Sequence, residues 1–114
     1  KADLAFVPAL WCREDAGDGI KLDKNAEVKL VNAVVTSRAI ENQMHVAFIN
    51  GAGQFTVNGK TGHLIGRTQL SSPFLGSVNR VNSNRESVLY TTADISILPI
   101  AESAYRIRED LSLS

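Results

Sequence analysis

Two short apolar segments on either side of a stretch with helical periodicity constrain the fold of this chain most. Residues 2–8 (ADLAFVP) and 44–50 (MHVAFIN) have the length and composition of buried strands. Apolar residues between them recur at the spacing of one helix face. They are Val28, Val31, Val35 and Ala39. With Asn25 as a candidate N-cap, this pattern predicts a helix over 25–43 between two strands.

The distribution of glycine, proline and polar residues along the rest of the chain predicts further strands and a terminal helix. Residues 12–24 are polar with two glycines and predict a loop, and Asn58-Gly59 predicts a tight turn. Residues 63–71 and 87–95 have strand character. A last helix is expected after Asp94 or Ser96, with Pro99 in its first turn, continuing to Arg108. The order strand, helix, three strands, helix predicts an α/β (α+β) fold.

Composition excludes several classes of partner and site. Twelve basic and twelve acidic residues balance, so we expect no nucleic-acid surface. Apolar runs are far shorter than the roughly 20 residues of a membrane helix, so we expect no membrane partner. The single cysteine, Cys12, precludes an internal disulfide and a cysteine-rich metal site, and it fits a reducing, cytoplasmic compartment.

The candidate nucleophilic, metal-binding and phosphate-binding residues give only weak indications of such sites. Cys12 follows Trp11 and has Arg13 beside it but no local histidine, which favours an unreactive thiol. His45 and His63 lack a fixed ligand spacing, which favours structural roles over a dyad or a metal site. Gly59-Lys60-Thr61 lacks the first glycine of a phosphate loop, because Gln54 stands at that position.

Polar residues at the end of the predicted helix form the most specific cluster. Arg38 and Glu41 are three apart and Arg38 and Asn42 are four apart, so they share a helix face beside the valine stripe. A structural lock built on a partly buried Arg38–Glu41 pair is the expected arrangement, and catalysis is the alternative. Loss of such a pair in Glu41→Ala would cost about 3 kcal/mol or more.

The string SRAIENQMHVAFINGAG (37–53) resembles a segment of the nitrilase superfamily, the carbon–nitrogen hydrolases. In that family a helix ending in Arg-Ala-x-Glu-Asn leads into a strand ending at Asn before a glycine. Residues 66–76 (GRTQLSSPFLG) are similar to the family's Gly-x-Ser-x-Ile-x-x-Pro-x-Gly, with one residue more before the last glycine. The positions matching these motifs are Arg38, Glu41, Asn42, Asn50, Gly66, Thr68, Pro73 and Gly76.

Three more segments extend the resemblance along the chain. Residues 2–11 (ADLAFVPALW) resemble the strand that follows the catalytic-cysteine segment. Residues 87–95 are similar to the strand with an acidic ending, and 104–110 (AYRIRED) resemble fungal-type members. The resemblance implies that residues 1–114 are the C-terminal portion of a four-layer α-β-β-α sandwich.

The resemblance also implies where the chemistry lies. The family uses a Glu base, a Lys and a Cys nucleophile, all of which would precede Lys1, so this chain holds no catalytic residue. Cys12 follows the matching strand and lacks the Pro-Glu context of the nucleophile. Leu10 and Trp11 are candidates for lining the substrate pocket, although core or interface packing is the favoured alternative for Trp11. No cofactor or metal is implied.

The expected function is that of a hydrolase fragment. The parent would cleave nitriles or amides through a thiolate, and this chain alone would supply scaffold without turnover. Its expected partner is the missing N-terminal half or a second copy, with helix 25–43 and the last helix as self-association surfaces. The alternatives are a non-catalytic oligomerisation remnant and, less favoured, an unrelated small α+β binding module.

Overall fold

The computed structural model describes residues 2–112, which form six strands and three α-helices. The strands are β1 (Leu4–Ala9), β2 (His45–Asn50), β3 (Ala52–Val57), β4 (Lys60–Ile65), β5 (Gln69–Ser72) and β6 (Gly76–Arg80). The helices are α1 (Ala26–Asn42), α2 (Ile97–Tyr105) and α3 (Ile107–Ser112), and a 3-10 segment spans Arg13–Lys21. None of the helices in this part of the chain is long and apolar enough to cross a membrane.

The strands form a four-stranded sheet and a separate hairpin. The sheet has the order β1-β2-β5-β6, with β1 and β2 parallel and the other neighbours antiparallel. Helix α1 connects the two parallel strands, as a parallel pair requires. Strands β3 and β4 pair through a turn at Asn58 and Gly59, where both residues have positive φ (50° and 75°). The predicted helix, its two flanking strands and the Asn-Gly turn are therefore confirmed.

Helix α1 packs on one face of the sheet through its valine stripe. The core residues are Val31, Val35, Ala39, Val46, Phe48 and Ile65. Valine is a weak helix former, so burial against β2 rather than intrinsic propensity stabilises this helix. The helix ends where Gln43 adopts a left-handed conformation (φ 52°) and its backbone N–H bonds to the carbonyls of Ala39 and Ile40. Asn25 occupies the N-cap position, but its side chain makes no capping hydrogen bond within the described residues.

Two other element predictions were wrong. Residues 12–24 contain the 3-10 segment rather than a plain loop. Residues 87–95, all of them described, form no strand, and the alternating side chains of Val88 and Tyr90 are 76% and 88% exposed. An alternating pattern produces a strand only where a sheet provides a neighbour and a face to bury, and residues 87–95 have no neighbouring strand among the described residues.

Two predicted elements are divided by residues with positive φ. The strand expected over 63–71 is split between β4 and β5, because the chain turns at Gly66 and Arg67, where φ is 66° and 68°. The terminal helix is split into α2 and α3 at Arg106 (φ 55°). Pro99 lies in the first turn of α2, as predicted, where its missing N–H has no helical partner to lose.

The Arg38–Glu41 pair forms, but the prediction that it is buried was wrong. Nη1 of Arg38 lies 3.1 Å from Oε2 of Glu41, and the two side chains are 66% and 58% exposed. The Asn42 amide donates to the Arg38 carbonyl at 2.9 Å. The Arg38 and Glu41 side chains thus lie largely in solvent at the last turn of α1, while Val31, Val35 and Ala39 are buried in the core.

The exposure of this pair changes the expected cost of breaking it. Glu41→Ala should change the free energy of unfolding by less than about 1 kcal/mol, because water screens an exposed pair. Val35→Ala on the buried face of the same helix should cost about 2 kcal/mol, since it removes packed methyl groups. Chemical denaturation of both variants measures the difference. Equal losses would contradict the assignment of the two helix faces.

Candidate functional site at the carboxyl ends of the parallel strands

The carboxyl ends of β1 and β2 lie side by side because the two strands are parallel. In open α/β sheets, ligands bind in the crevice beyond such ends. β1 is followed by Leu10 and Trp11, and β2 ends at Asn50, before Gly51. This edge of the sheet therefore holds both predicted pocket residues and one of the motif residues.

The Asn50 side chain ties three segments together at this edge. Its Oδ1 accepts the backbone N–H of Trp11 at 2.7 Å. Its Nδ2 donates to the carbonyls of Gly66 and Trp11, at 3.0 and 3.3 Å. The Asn50 residue is only 8% exposed, and its hydrogen bond to the Gly66 carbonyl is buried. Such a buried, fully partnered amide fixes the relative positions of the segments it joins.

Gly66 and Thr68 complete this lock from the chain that follows β4. The backbone N–H of Asn50 donates to Oγ1 of Thr68 at 3.1 Å, and the Gly66 N–H donates to the Gly51 carbonyl at 3.1 Å. Gly66 has a φ of 66°, and a Cβ there would lie 2.4 Å from the Ser83 carbonyl oxygen. Glycine is therefore required at this position by both conformation and space.

The motif residues divide into three places. Asn50, Gly66 and Thr68 meet at the lock just described. Pro73, which is fully buried, and Gly76 (φ 65°) border the turn between β5 and β6. The other three motif residues lie at the end of α1. They are Arg38, Glu41 and Asn42.

Trp11 and Leu10 have different surroundings. The Trp11 ring meets Phe48 edge to face, with centroids 6.4 Å apart, and its indole N–H donates to the Glu27 carboxylate. These contacts attach the end of β1 to the core and to the first turn of α1. Leu10 is 78% exposed and lines an open groove of about 420 Å³ together with Trp11 and Glu27. The role of both residues in a substrate pocket stays a prediction.

The surroundings of Cys12 disfavour its thiolate. Desolvation raises the pKa of the Cys12 thiol, and the carboxylates of Asp15 and Glu14 raise it further. A nucleophilic cysteine needs the opposite environment. The backbone of Cys12 has a structural role, because it bridges to Leu64 and its N–H donates to Asp15 at 2.9 Å.

The two histidines lie in different sheets and have separate partners. His45 is fully buried, with Nδ1 2.6 Å from the Ser72 hydroxyl and Nε2 2.9 Å from the Asp94 carbonyl. Because a carbonyl only accepts, Nε2 carries the proton in this arrangement. No group of three or more potential metal ligands occurs within residues 2–112.

His63 lies against the segment after Cys12, a contact that sequence reasoning missed. The Glu14 carboxylate accepts the backbone N–H of His63 at 3.0 Å and lies 2.5 Å from its ring Nδ1. Desolvation acts to raise the pKa of Glu14, but the backbone and ring hydrogen bonds to His63 outweigh it and hold the pKa at about 2. The two residues are 49 positions apart in the chain, and the pairing of Cys12 with Leu64 helps to bring them together.

Comparison with known proteins identifies the fold. No protein-family model matches the chain, and no curated protein does. A carbon-nitrogen hydrolase from Helicobacter pylori G27 has a similar structure, with a TM-score of 0.70 and 16% sequence identity. The match covers 96% of this chain and 38% of the hydrolase chain, so this chain spans less than half of that protein. The mixed α/β fold expected from the sequence is confirmed, and it is similar to the fold of part of that hydrolase.

The lock predicts different costs for two glycine substitutions. Gly66→Ala should lower the free energy of unfolding by at least about 2 kcal/mol, because it combines a left-handed backbone with a collision at Ser83. Gly53→Ala is the control: φ there is 86° with nothing within 4 Å of the new Cβ, so about 1 kcal/mol of strain is expected. Urea denaturation measures both. Equal costs would show that the contact with Ser83 does not form.

The Glu14 contact predicts a pH dependence below neutrality. A lowered pKa contributes stability that is present above the ordinary value of 4.5 and is lost as the pH falls toward about 2. Glu14→Gln should therefore flatten the decline of the unfolding free energy between these pH values. Glu86→Gln is the control, since Glu86 is exposed and makes no ion pair in the described part of the chain, and it should keep the wild-type slope. A wild-type slope in Glu14→Gln would refute the contact.

Proposed function

We propose that this chain is part of a nitrilase-superfamily hydrolase that cleaves carbon–nitrogen bonds outside peptides. The observation that carries the proposal is the structural match over 96% of this chain to 38% of a carbon-nitrogen hydrolase. The motif residues support it independently, because Asn50, Gly66 and Thr68 come together in one hydrogen-bonded lock.

In the proposed enzyme, a cysteine thiolate outside residues 1–114 attacks the carbon of a nitrile or an amide. Addition to a nitrile gives a thioimidate, which water converts to a thioester with loss of ammonia, whereas attack on an amide gives the thioester directly as ammonia or an amine leaves. A second water then cleaves the thioester to the carboxylic acid and frees the thiol. A glutamate would transfer protons and a lysine would stabilise the developing charge. The raised pKa of Cys12 supports its exclusion from the nucleophile role.

The contribution of this chain to the proposed enzyme is scaffold. The lock holds the end of β1 against the end of β2, so it sets where Leu10 and Trp11 lie relative to a neighbouring active site. Without the remaining part of the fold we expect no turnover. We further propose membership of the fungal-type subgroup, from residues 104–110, and a cytoplasmic location, which the free thiol of Cys12 supports.

A second candidate function is non-catalytic association, either with the rest of such an enzyme or with a second copy. Val46 and Phe48 of β2 pack on the helix side of the sheet. Because side chains alternate along a strand, Ile49 and Ala47 lie on the opposite face, and so does Phe6, which pairs with Ala47. Phe6 is 68% exposed and Ile49 is 42% exposed. An apolar sheet face of this kind favours burial against another layer.

The native polypeptide and the isolated chain together test the proposal. Antibodies against this chain would capture the native protein for intact-mass measurement and sequencing upstream of Lys1. Both proteins would then be incubated with nitriles, amides and N-carbamoyl amines, with ammonia release and covalent adducts measured. We expect a native chain between two and three times as long as residues 1–114, with a catalytic Glu, Lys and Cys and with turnover.

Each outcome separates the candidates. The isolated chain should release no ammonia and carry no adduct on Cys12, and Cys12→Ser in the longer protein should leave turnover unchanged. A native protein without the three upstream residues would favour association without catalysis. Turnover by the isolated chain with an adduct on Cys12 would refute both the scaffold role and the position of the nucleophile.

A further inference from the structure

The arginines of this chain fall into two groups according to their partners. Four of them make ion pairs with carboxylates among residues 2–112. These four are Arg13, Arg38, Arg106 and Arg108. The other three make no ion pair within those residues, and they all follow β4 in the chain. These are Arg67, Arg80 and Arg85.

The sequence around the second group explains the missing partners. Residues 42–93 contain four basic residues but only one acidic residue, Glu86. The balanced charge of the whole chain therefore hides a long cationic segment. Glu86 is exposed and forms no ion pair with Arg67 or Arg85 in the described part of the structure.

Arg67 is the most constrained of these cations. It has a φ of 68°, its side chain is half-buried, and Nη1 donates to the Ile65 carbonyl and to Oδ1 of Asn84, each at 3.0 Å. Desolvation lowers the pKa of its guanidinium, and the nearby charge of Arg80 lowers it further. Both side-chain hydrogen bonds use Nη1, so the edge formed by Nε and Nη2 has no hydrogen-bond partner among the described residues.

Arg80 is held elsewhere in the structure. Its Nε and Nη2 donate to Oε1 of the buried Gln69, at 3.2 and 3.1 Å. The positive charge of Arg80 therefore acts on Arg67, and the neutral Gln69 side chain that holds Arg80 offers no negative charge to balance it. A partly desolvated cation beside a second cation is stabilised by an anion that neither residue provides.

Arg67 and Arg85 line one cavity of about 280 Å³. Its wall also includes Asn50 and Gly51, at the carboxyl end of β2, together with Glu86. The cavity thus lies beside the Asn50 lock, where an open sheet offers its ligand crevice. Its volume suits a ligand of a few heavy atoms, below the usual range for larger ligands.

We propose that this cavity binds the carboxylate group of a small organic acid, with Arg67 as the principal contact and Arg85 as the second cation. The Nε and Nη2 edge of a guanidinium matches the two oxygens of a carboxylate. Glu86 on the same wall offsets part of the positive charge, which favours a singly charged group over dianionic phosphate. Binding requires none of the residues that the proposed hydrolase activity needs from outside this chain.

The test is a titration of the 114-residue chain with succinate, acetate and inorganic phosphate, followed by the NMR signals of the arginine Nε–H groups. Sodium chloride at matched ionic strength is the reference. We expect saturable shifts of the Arg67 signal with the two carboxylates and weaker binding of phosphate. Arg67→Gln should weaken succinate binding at least tenfold, and Arg85→Gln should weaken it severalfold.

Arg38→Gln is the matched control, because Arg38 is exposed, paired with Glu41 and outside the cavity. It should leave succinate binding unchanged. Arg67→Lys retains the charge without the planar fork and should also bind succinate poorly, which keeps the test valid if Arg67→Gln fails to fold. Because the assay measures binding alone, its outcome is independent of any hydrolase activity.

Three results would overturn the proposal. Identical shifts with chloride would show that the signal reports ionic strength. Equal weakening by Arg38→Gln would show that general surface charge attracts the acid. Tighter binding of phosphate than of acetate, which carries a single charge, would refute the carboxylate assignment.

Discussion

The hydrogen bonds of the Asn50 side chain are the constraint on which the arrangement of this structure depends. One buried amide receives the N–H that follows β1 and donates to the carbonyls of Trp11 and Gly66. The amide thereby ties the ends of two parallel strands to the connection between β4 and β5. An aliphatic side chain of similar size would remove the partner of the Trp11 N–H and of the Gly66 carbonyl, at a cost of about 1–3 kcal/mol for each group left unsatisfied. Thr68 contributes to the same junction by accepting the Asn50 N–H, and Gly66 contributes by adopting the positive φ that the connection requires.

The acidic residues are distributed unevenly along the chain, and this distribution is unrelated to the packing of the core. Carboxylates are concentrated before residue 42 and after residue 93, where exposed pairs such as Arg106 with Glu109 form within a single helical turn. Such pairs contribute little stability, because water competes for both partners. In the middle of the chain, Arg67 has lost part of its solvent without gaining a carboxylate. The unbalanced charge therefore lies at the same sheet edge as the structural lock.

The two faces of the sheet are covered to very different extents. Helix α1 buries Val46 and Phe48 on one face, while Phe6 on the opposite face remains largely exposed. A single layer of helix leaves a sheet half covered, and a layered α/β protein removes that exposure by packing a second layer on it. The match to 38% of a carbon-nitrogen hydrolase is consistent with this incomplete covering. The apolar face and the cationic cavity offer two chemically distinct surfaces for further contacts.

Local sequence patterns determined the elements whose formation needs only neighbouring residues. The valine stripe specified α1, the flanking apolar runs specified β1 and β2, and Asn58-Gly59 specified the hairpin turn, because periodicity and positive φ are local properties.

Tertiary structure alone decided the remaining features. The segment 87–95 has an alternating pattern but no neighbouring strand, and the Arg38–Glu41 pair lies on the solvent side of a helix whose orientation the sheet fixes. The contact of Glu14 with His63 and the shared cavity of Arg67 and Arg85 join residues far apart in the chain. Sequence spacing does not predict such long-range contacts, because they depend on strand pairing and burial, which are established only when the chain folds.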